Sequence, residues 1–247
     1  MAPAIRQKQM TSLFTVIDRF SHDTWKCSAS FPPHYETEPE RRFPVVYLMG
    51  ETDTASVMNN VLQQEPAAGP FILVGIEGKD WNTPFSPWPA PKLGKNLGPF
   101  AGGGDKFLAL LATEIKPYAD STYRTLPDPA HTALAGYSLA GLLTLYAFCS
   151  RNTAFSRFAC MSGSLWYPGW TAYLRTHLPP VAPRIYLSLG NREKESRSPV
   201  MAQVENCTHA TVQLLQPYDV FFEWNDGGHF NGITGRIAKG IAFLFPS

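Results

Sequence analysis

The apolar residues of this chain fall in short runs that are separated by amphipathic or polar segments. Two of these runs, FPVVYLMG at 43–50 and PFILVGIEG at 70–78, are almost unbroken and rich in β-branched residues. Such runs are typical of strands that are covered on both faces, as in a parallel sheet flanked by helices. Residues 54–64 between them have the pattern of a short helix, so this region predicts a βαβ unit.

The rest of the chain continues this alternation of strands and helices. The segments 13–20 and 24–31 alternate apolar and polar residues, which predicts an antiparallel pair of edge strands. Later strands are predicted at 131–136, 158–163, 184–190 and 218–224, and later helices at 139–150, 200–215 and 233–245. No change in composition divides the chain. We therefore expect residues 1–247 to form a single α/β domain, with a mostly parallel central sheet of about eight strands and helices on both faces.

One long segment, residues 79–104, interrupts the pattern. It is rich in proline, glycine and asparagine and contains Trp81 and Trp88, so it predicts a loop without regular structure. Loops of this length in compact domains are often functional. A helix is expected to follow it, with Asp105 as the N-cap residue.

Composition and charge exclude several classes of protein. Apolar residues make up 44% of the 247 residues and charged residues 17%, which is typical of a globular protein, and the net charge of +1 argues against nucleic acid as a partner. No apolar run reaches the length of a membrane span, and the start, MAPAIRQKQMTSLF, lacks the apolar stretch of a secretory signal. The four cysteines have no CxxC spacing. These features predict a soluble, cytoplasmic protein with reduced thiols.

Ser138 is the candidate nucleophile. It lies between a predicted strand and a predicted helix, with Gly136 two residues before it and Ala140 two residues after it. Small residues at these positions permit the sharp strand-to-helix turn of a nucleophile elbow, although the strict pattern G-x-S-x-G is not met at Ala140. In such a turn the Leu139 N–H lies at a helix N-terminus, where it can stabilise an oxyanion. The alternative for Ser138 is a serine that only caps a helix.

The candidate base and acid follow later in the chain. His229 lies in the glycine-rich segment NDGGHFNG just after the last predicted strand, which is where the order serine, acid, histidine places the histidine. Glu193 and Glu195 both follow the strand at 184–190, and Asp226 lies in the same loop as the histidine. We favour Glu193 because it is nearer to the end of its strand, but the sequence leaves all three acids open.

The sequence also indicates residues for the second oxyanion donor and for a substrate pocket. The loop after 43–50 should supply a second oxyanion donor, and the backbone N–H of Glu51 is the candidate. The aromatic residues of two segments are candidates for the wall of a substrate pocket, namely Trp81, Phe85, Trp88, Trp166 and Tyr167. The chain contains no HExxH motif and no Walker loop, so we expect no metal and no cofactor.

Several segments together resemble the esterase branch of the α/β-hydrolases, which includes esterase D and the enterochelin (siderophore) esterases. They are PPHYE, FPVVYLMG, GGGDKFLALLATEIKPYAD, STYRT, ALAGYSLAGLLTLYA, SGSLWY, YLSLGNREK and GGHF. The resemblance implies the α/β-hydrolase fold, with Ser138 as nucleophile, His229 as base and Glu193 at the acid position. The elbow of related sequences usually ends in two glycines, and Ala140 replaces the first of them here. Some siderophore esterases are thought to use a serine and histidine dyad, which leaves the role of Glu193 open.

These observations predict a serine hydrolase that cleaves a small-molecule carboxylic ester through an acyl-enzyme on Ser138. Two alternatives remain open. An acyltransferase on the same scaffold passes the acyl group to an alcohol instead of water, and a non-catalytic protein uses the fold only for binding. The oligomeric state is not predicted.

Overall fold

The computed structural model describes residues 10–93, 98–150, 153–181 and 183–247. Eight strands form one sheet in the order β1-β2-β4-β3-β7-β8-β9-β10. The β1–β2 and β2–β4 pairs are antiparallel, whereas every pair from β4 to β10 is parallel. The prediction of a mostly parallel α/β sheet of about eight strands is confirmed, and the single domain stays a prediction. The strands of the sheet are β1 (Thr11–Ile17), β2 (Thr24–Ser30), β3 (Val45–Met49), β4 (Ile72–Ile76), β7 (Thr132–Tyr137), β8 (Arg157–Met161), β9 (Arg184–Gly190) and β10 (Asp219–Asn225).

Helices cover both faces of the sheet, because the central strands carry apolar side chains on both sides. Helices α1 (Thr54–Gln64) and α7 (Ile233–Leu244) pack on one face, in a core that includes Val57, Leu48 and Ile241. The larger core lies on the other face. Its helices are α2 (Gly104–Leu110), α3 (Lys116–Thr122), α4 (Leu139–Cys149), α5 (Trp170–Thr176) and α6 (Val204–Leu215). Every residue of α4 is buried, and all but Thr144 are apolar or small, as expected of a helix without a solvent-exposed face.

The structure corrects four details of the sequence analysis. The segment 79–104 is not wholly irregular, because β5 (Pro89–Ala90) and β6 (Phe100–Ala101) pair within it, and residues 94–97 lie outside the described residues. Helix α2 begins at Gly104 with Gly103 as its N-cap, and Asp105 instead accepts a hydrogen bond of 2.7 Å from the Tyr146 hydroxyl. Strand β2 lies inside the sheet and not at its edge. Helix α5 has no counterpart in the prediction.

Three findings concern the remaining expectations. No helix among the described residues is long and apolar enough to cross a membrane. Cys27, Cys149 and Cys160 are buried free thiols, and Cys207 is a half-buried one. Residues 1–9 lie outside the described ranges. They are part of the segment from which we predicted that the chain start is not a secretory signal.

Candidate active site

Ser138 occupies a sharp turn between the end of β7 and the start of α4. Its φ and ψ angles are 58° and −122°, a conformation that costs energy for a residue with a side chain. The surrounding backbone holds it in place. Its N–H donates to the Met161 carbonyl at 3.1 Å, and its own carbonyl accepts from the N–H groups of Leu142 at 3.1 Å and Ser164 at 2.9 Å. Strain of this kind at a serine that leads into a helix is the local structure of a nucleophile elbow.

The elbow requires glycine at position 136. A Cβ atom there would lie 2.4 Å from the carbonyl carbon and oxygen of Ala140, which belong to the backbone of the following helix. Ala140 itself fits, so the departure from G-x-S-x-G at this position is accommodated. The close approach of β7 and α4 therefore depends on Gly136 and not on a glycine at position 140.

This geometry makes a prediction about stability. We expect Gly136→Ala to lower the free energy of unfolding by about 3 kcal/mol, because the new methyl group must displace backbone atoms. Ala140→Gly, the converse exchange on the other side of the elbow, should cost only about 1 kcal/mol. Denaturant unfolding followed by circular dichroism measures both. The double variant should be no more stable than Gly136→Ala alone, since the clash involves the carbonyl of residue 140, and rescue by Ala140→Gly would contradict this account.

The structure brings Ser138, His229 and Glu193 together, although they lie on three separate segments. His229 Nε2 is 2.9 Å from Ser138 Oγ, and His229 Nδ1 is 2.7 Å from Glu193 Oε2. Tyr137, the last residue of β7, donates a hydrogen bond of 2.6 Å from its hydroxyl to the carbonyl of His229. The histidine loop is thus fixed to the strand that carries the serine. A serine, an imidazole and a carboxylate in this order have the geometry of a catalytic triad.

Glu193 is an unusual carboxylate because its side chain is 3% exposed. Its Oε1 atom accepts hydrogen bonds from the Gly190 N–H at 2.8 Å and from Arg236 Nη1 at 3.0 Å. Burial raises the pKa of Glu193, but the hydrogen bond and charge of His229, together with the bonds from Gly190 and Ser162, outweigh it and hold the pKa below its usual range. The carboxylate is therefore ionised at neutral pH and able to orient the imidazole.

The two other candidate acids do not contact His229. The side chain of Glu195 is 55% exposed and pairs with Arg192 at 3.0 Å. Asp226 is exposed, and its carboxylate accepts a hydrogen bond of 3.1 Å from Asn191 Nδ2. Glu193 is the one of the three that lies within hydrogen-bonding distance of the imidazole.

The two candidate oxyanion donors follow two neighbouring parallel strands, Glu51 after β3 and Leu139 after β7. The Leu139 N–H is in the first turn of α4, where helix amides have no acceptor within the helix. Met49 pairs with Gly136, so Glu51 follows β3 at the level at which Ser138 follows β7. The Glu51 side chain accepts from the Asp53 N–H at 2.7 Å and so turns toward its own loop. The register is consistent with a donor role for the Glu51 amide, which stays a prediction.

A comparison with known protein families agrees with this geometry. The sequence profile of the family described as "Putative esterase" matches residues 22–229, a range that includes the serine, the acid and the histidine. The chain belongs to this esterase family.

Relatives of the esterase include proteins from bacteria and fungi. "Uncharacterized protein YbbA" of Bacillus subtilis is 25% identical over 192 residues, which cover 75% of each chain. Among solved structures, an IroE-like serine hydrolase from Shewanella oneidensis superposes with a TM-score of 0.80 at 19% identity, over 96% of this chain and 80% of that one. The siderophore hydrolase EstA from Aspergillus nidulans gives a TM-score of 0.76 at 19% identity, over 95% and 93%. These likenesses show the α/β-hydrolase fold.

The aromatic residues predicted to form the wall of a substrate pocket differ in burial in the esterase. The Trp81 ring packs over Gly50, where a Cβ would lie 2.5 Å from it, and it is therefore next to the candidate oxyanion loop. Trp88 and Tyr167 are hydrogen-bonded, because the Tyr167 hydroxyl donates to the Trp88 carbonyl at 2.6 Å. Tyr167 is only 2% exposed. Trp166 is half-buried and lies 6.2 Å from the Phe100 ring. Trp81 and Trp166 are partly exposed, whereas Tyr167 belongs to the buried core.

Three residues near the site escaped the sequence analysis. Ser164 Oγ lies 3.4 Å from Ser138 Oγ, and Tyr137 and Arg236 hold the acid and the histidine loop. The sequence offered two signals, the position of Tyr137 next to the serine and that of Ser164 in the segment SGSLWY. Within the described ranges, no group of three or more His, Cys, Asp or Glu residues has a metal-binding arrangement.

Proposed function

We propose that this esterase hydrolyses carboxylic esters through an acyl-enzyme formed on Ser138. The observation that carries the proposal is the hydrogen-bonded series Ser138 Oγ, His229 Nε2, His229 Nδ1 and Glu193 Oε2, with distances of 2.9 and 2.7 Å. Membership of the esterase family supports the same reaction class.

The first half of the reaction acylates the serine. His229 Nε2 accepts the proton of Ser138 Oγ as that oxygen forms a bond to the ester carbonyl carbon. The carbonyl oxygen becomes an oxyanion, and the amides of Leu139 and Glu51 are its proposed hydrogen-bond donors. When the tetrahedral intermediate collapses, the bond to the alcohol oxygen breaks and His229 donates its proton to that oxygen.

The second half releases the acid. Water replaces the alcohol beside His229, which takes one of its protons while the water oxygen attacks the acyl-enzyme carbonyl. Collapse of the second intermediate returns the proton to Ser138 Oγ and frees the carboxylic acid. Glu193 remains ionised throughout, and it holds the imidazole with Nδ1 protonated and stabilises the charged imidazolium.

The substrate is a small-molecule ester with a bulky or aromatic acyl or alcohol group. Trp81 lies against the candidate oxyanion loop. Trp166 comes two residues after Ser164, whose hydroxyl lies near that of Ser138. Flat apolar side chains of this kind favour aromatic groups. A siderophore hydrolase shares the fold, so a siderophore ester belongs in the substrate panel.

A fluorophosphonate probe tests the proposal directly. We expect one covalent adduct for each chain, located at Ser138 by peptide mass spectrometry, and a parallel loss of p-nitrophenyl acetate hydrolysis. Heat-denatured protein is the control, because an unactivated serine does not react. An adduct at another residue, or no adduct on folded protein that cleaves no ester, would contradict the proposal.

A further inference from the structure

Arg236 is a buried cation beside the proposed catalytic residues. It lies on α7, and its side chain is 3% exposed. Five acceptors lie within hydrogen-bonding distance of its two terminal nitrogens. They are the Tyr137 hydroxyl at 3.2 Å, Ser162 Oγ at 3.0 Å, Glu193 Oε1 at 3.0 Å, the Asp226 carbonyl at 2.9 Å and the Gly228 carbonyl at 3.0 Å. A buried charge with this many partners is held in one geometry.

The two nitrogens of the guanidinium have different partners. Nη1 contacts Oε1 of Glu193, while the other carboxylate oxygen, Oε2, contacts His229. Nη2 contacts the carbonyls of Asp226 and Gly228, in the loop that leads to His229. One rigid, planar group therefore fixes the acid and the histidine loop relative to each other.

The surrounding chain leaves room for this group. A Cβ on Gly190, at the end of β9, would lie 2.8 Å from Arg236 Nη2 and 2.4 Å from the Gly227 carbonyl oxygen. The absence of a side chain at Gly190 lets the guanidinium lie between the acid segment and the histidine loop. Ser162, which has a φ of 46° and is fully buried, accepts a hydrogen bond at its hydroxyl oxygen from the same nitrogen that donates to Glu193.

We propose that Arg236 is a positioning residue, which aligns Glu193 and the His229 loop and balances the charge of the buried carboxylate during catalysis. The inference rests on the proposed function, because it assigns to Arg236 a role in the reaction of Ser138. Lysine cannot replace it, since a single ammonium group lacks the fork that reaches a carboxylate and two carbonyls at once.

Few other ionisable groups lie near Glu193. Tyr137 on β7 and Cys160 on β8 face Glu193 as neutral groups, because burial raises the pKa of both. Asp226 and the Arg192–Glu195 pair lie in the adjacent exposed loops. Arg236 on α7 is the one buried cation among these residues, so its removal changes the electrostatic field at the imidazole.

The test compares Arg236→Met, which removes the charge, with Arg236→Lys, which keeps it. We expect Arg236→Met to lower kcat for p-nitrophenyl acetate about 100-fold with KM changed less than threefold, because the acid and base lose alignment while the substrate pocket remains. The acidic limb of its kcat/KM profile should move to higher pH, since loss of a cation favours the protonated imidazole. Arg236→Lys should lower kcat at least 10-fold and leave that limb in place.

Arg157→Met is the matched control for a purely structural role. Arg157 also donates to two backbone carbonyls, those of Ala130 at 2.8 Å and Leu244 at 2.7 Å. It begins β8, so it lies at the N-terminal ends of the parallel strands, whereas Ser138 follows the C-terminal end of β7. Loss of Arg157 should lower Tm while kcat and the pH profile stay close to wild type.

The outcomes separate this inference from the proposed function. If Ser138→Ala abolishes turnover but Arg236→Met retains kcat within threefold and an unchanged pH profile, the role of Arg236 is wrong and the function stands. Equal losses of kcat in Arg236→Met and Arg157→Met would also overturn it. If Arg236→Met does not fold, Arg236→Lys decides, and wild-type kcat in that variant would refute the alignment role.

Discussion

Ser138→Ala is expected to lower kcat for p-nitrophenyl acetate by about 10⁶-fold, because it removes the atom that forms the acyl-enzyme. His229→Ala should cost about as much, since an unactivated serine hydroxyl is a poor nucleophile. The two residues act as one unit, so the double variant should be no slower than either single variant. Initial rates measured on purified protein, with folding checked by circular dichroism, give this comparison.

Ser164→Ala is the matched control for the loss of a hydroxyl group. Ser164 Oγ is 3.4 Å from Ser138 Oγ, and it is the backbone N–H of Ser164 that holds the Ser138 carbonyl. The variant keeps that bond, so kcat should remain within about 10-fold of wild type. If the free-energy losses of Ser138→Ala and His229→Ala add in their double variant, the two residues do not act as one unit. If Ser138→Ala keeps more than one-hundredth of wild-type activity, Ser138 is not the nucleophile.

The serine and the histidine were predictable because local sequence constrains both. A serine between an apolar strand and a helix, with Gly136 before it, restricts the backbone to few conformations. His229 follows the last strand in a glycine-rich loop. Because that strand is parallel to the strand that leads into Ser138, both residues lie at the C-terminal ends of the strands. The apolar runs predicted the parallel strands for a similar reason, since burial on both faces leaves little choice of residue.

Arg236 was not predictable from the same kind of pattern. In ITGRIAKG it lies three residues before Lys239, and both look like the solvated face of an amphipathic helix. The structure leaves Lys239 41% exposed and buries Arg236, because α7 crosses the end of β9 where Gly190 makes space. Burial of this charge depends on tertiary packing.

The short elements were missed for another reason. Strands β5 and β6 have two residues each, so they show no periodicity. Helix α5 has seven residues and follows Gly169, whose φ of 85° breaks the preceding pattern. Prediction was reliable where an element repeats its pattern several times, and it failed where an element spans no more than about two periods.

Glu193→Gln is expected to lower kcat by about 10⁴-fold while leaving KM nearly unchanged. The amide keeps the shape of the side chain but removes the charge that stabilises the imidazolium. It also permits the tautomer of His229 in which Nε2 carries the proton, and that nitrogen then cannot accept one from Ser138. Arg236 would face a neutral partner, so the loss should also appear as a lower rate of fluorophosphonate labelling.

Glu195→Gln and Asp226→Asn complete the comparison, because each makes the same chemical change at an acid that the sequence left open. Neither carboxylate contacts His229, and the Asp226 contact with Arg236 uses the backbone carbonyl, which the variant retains. Both should stay within about twofold of wild-type kcat. A serine and histidine dyad makes the opposite prediction for Glu193→Gln, namely a loss of less than 10-fold. In that case the buried carboxylate would serve stability alone, and Glu193→Gln would lower Tm without slowing the labelling of Ser138.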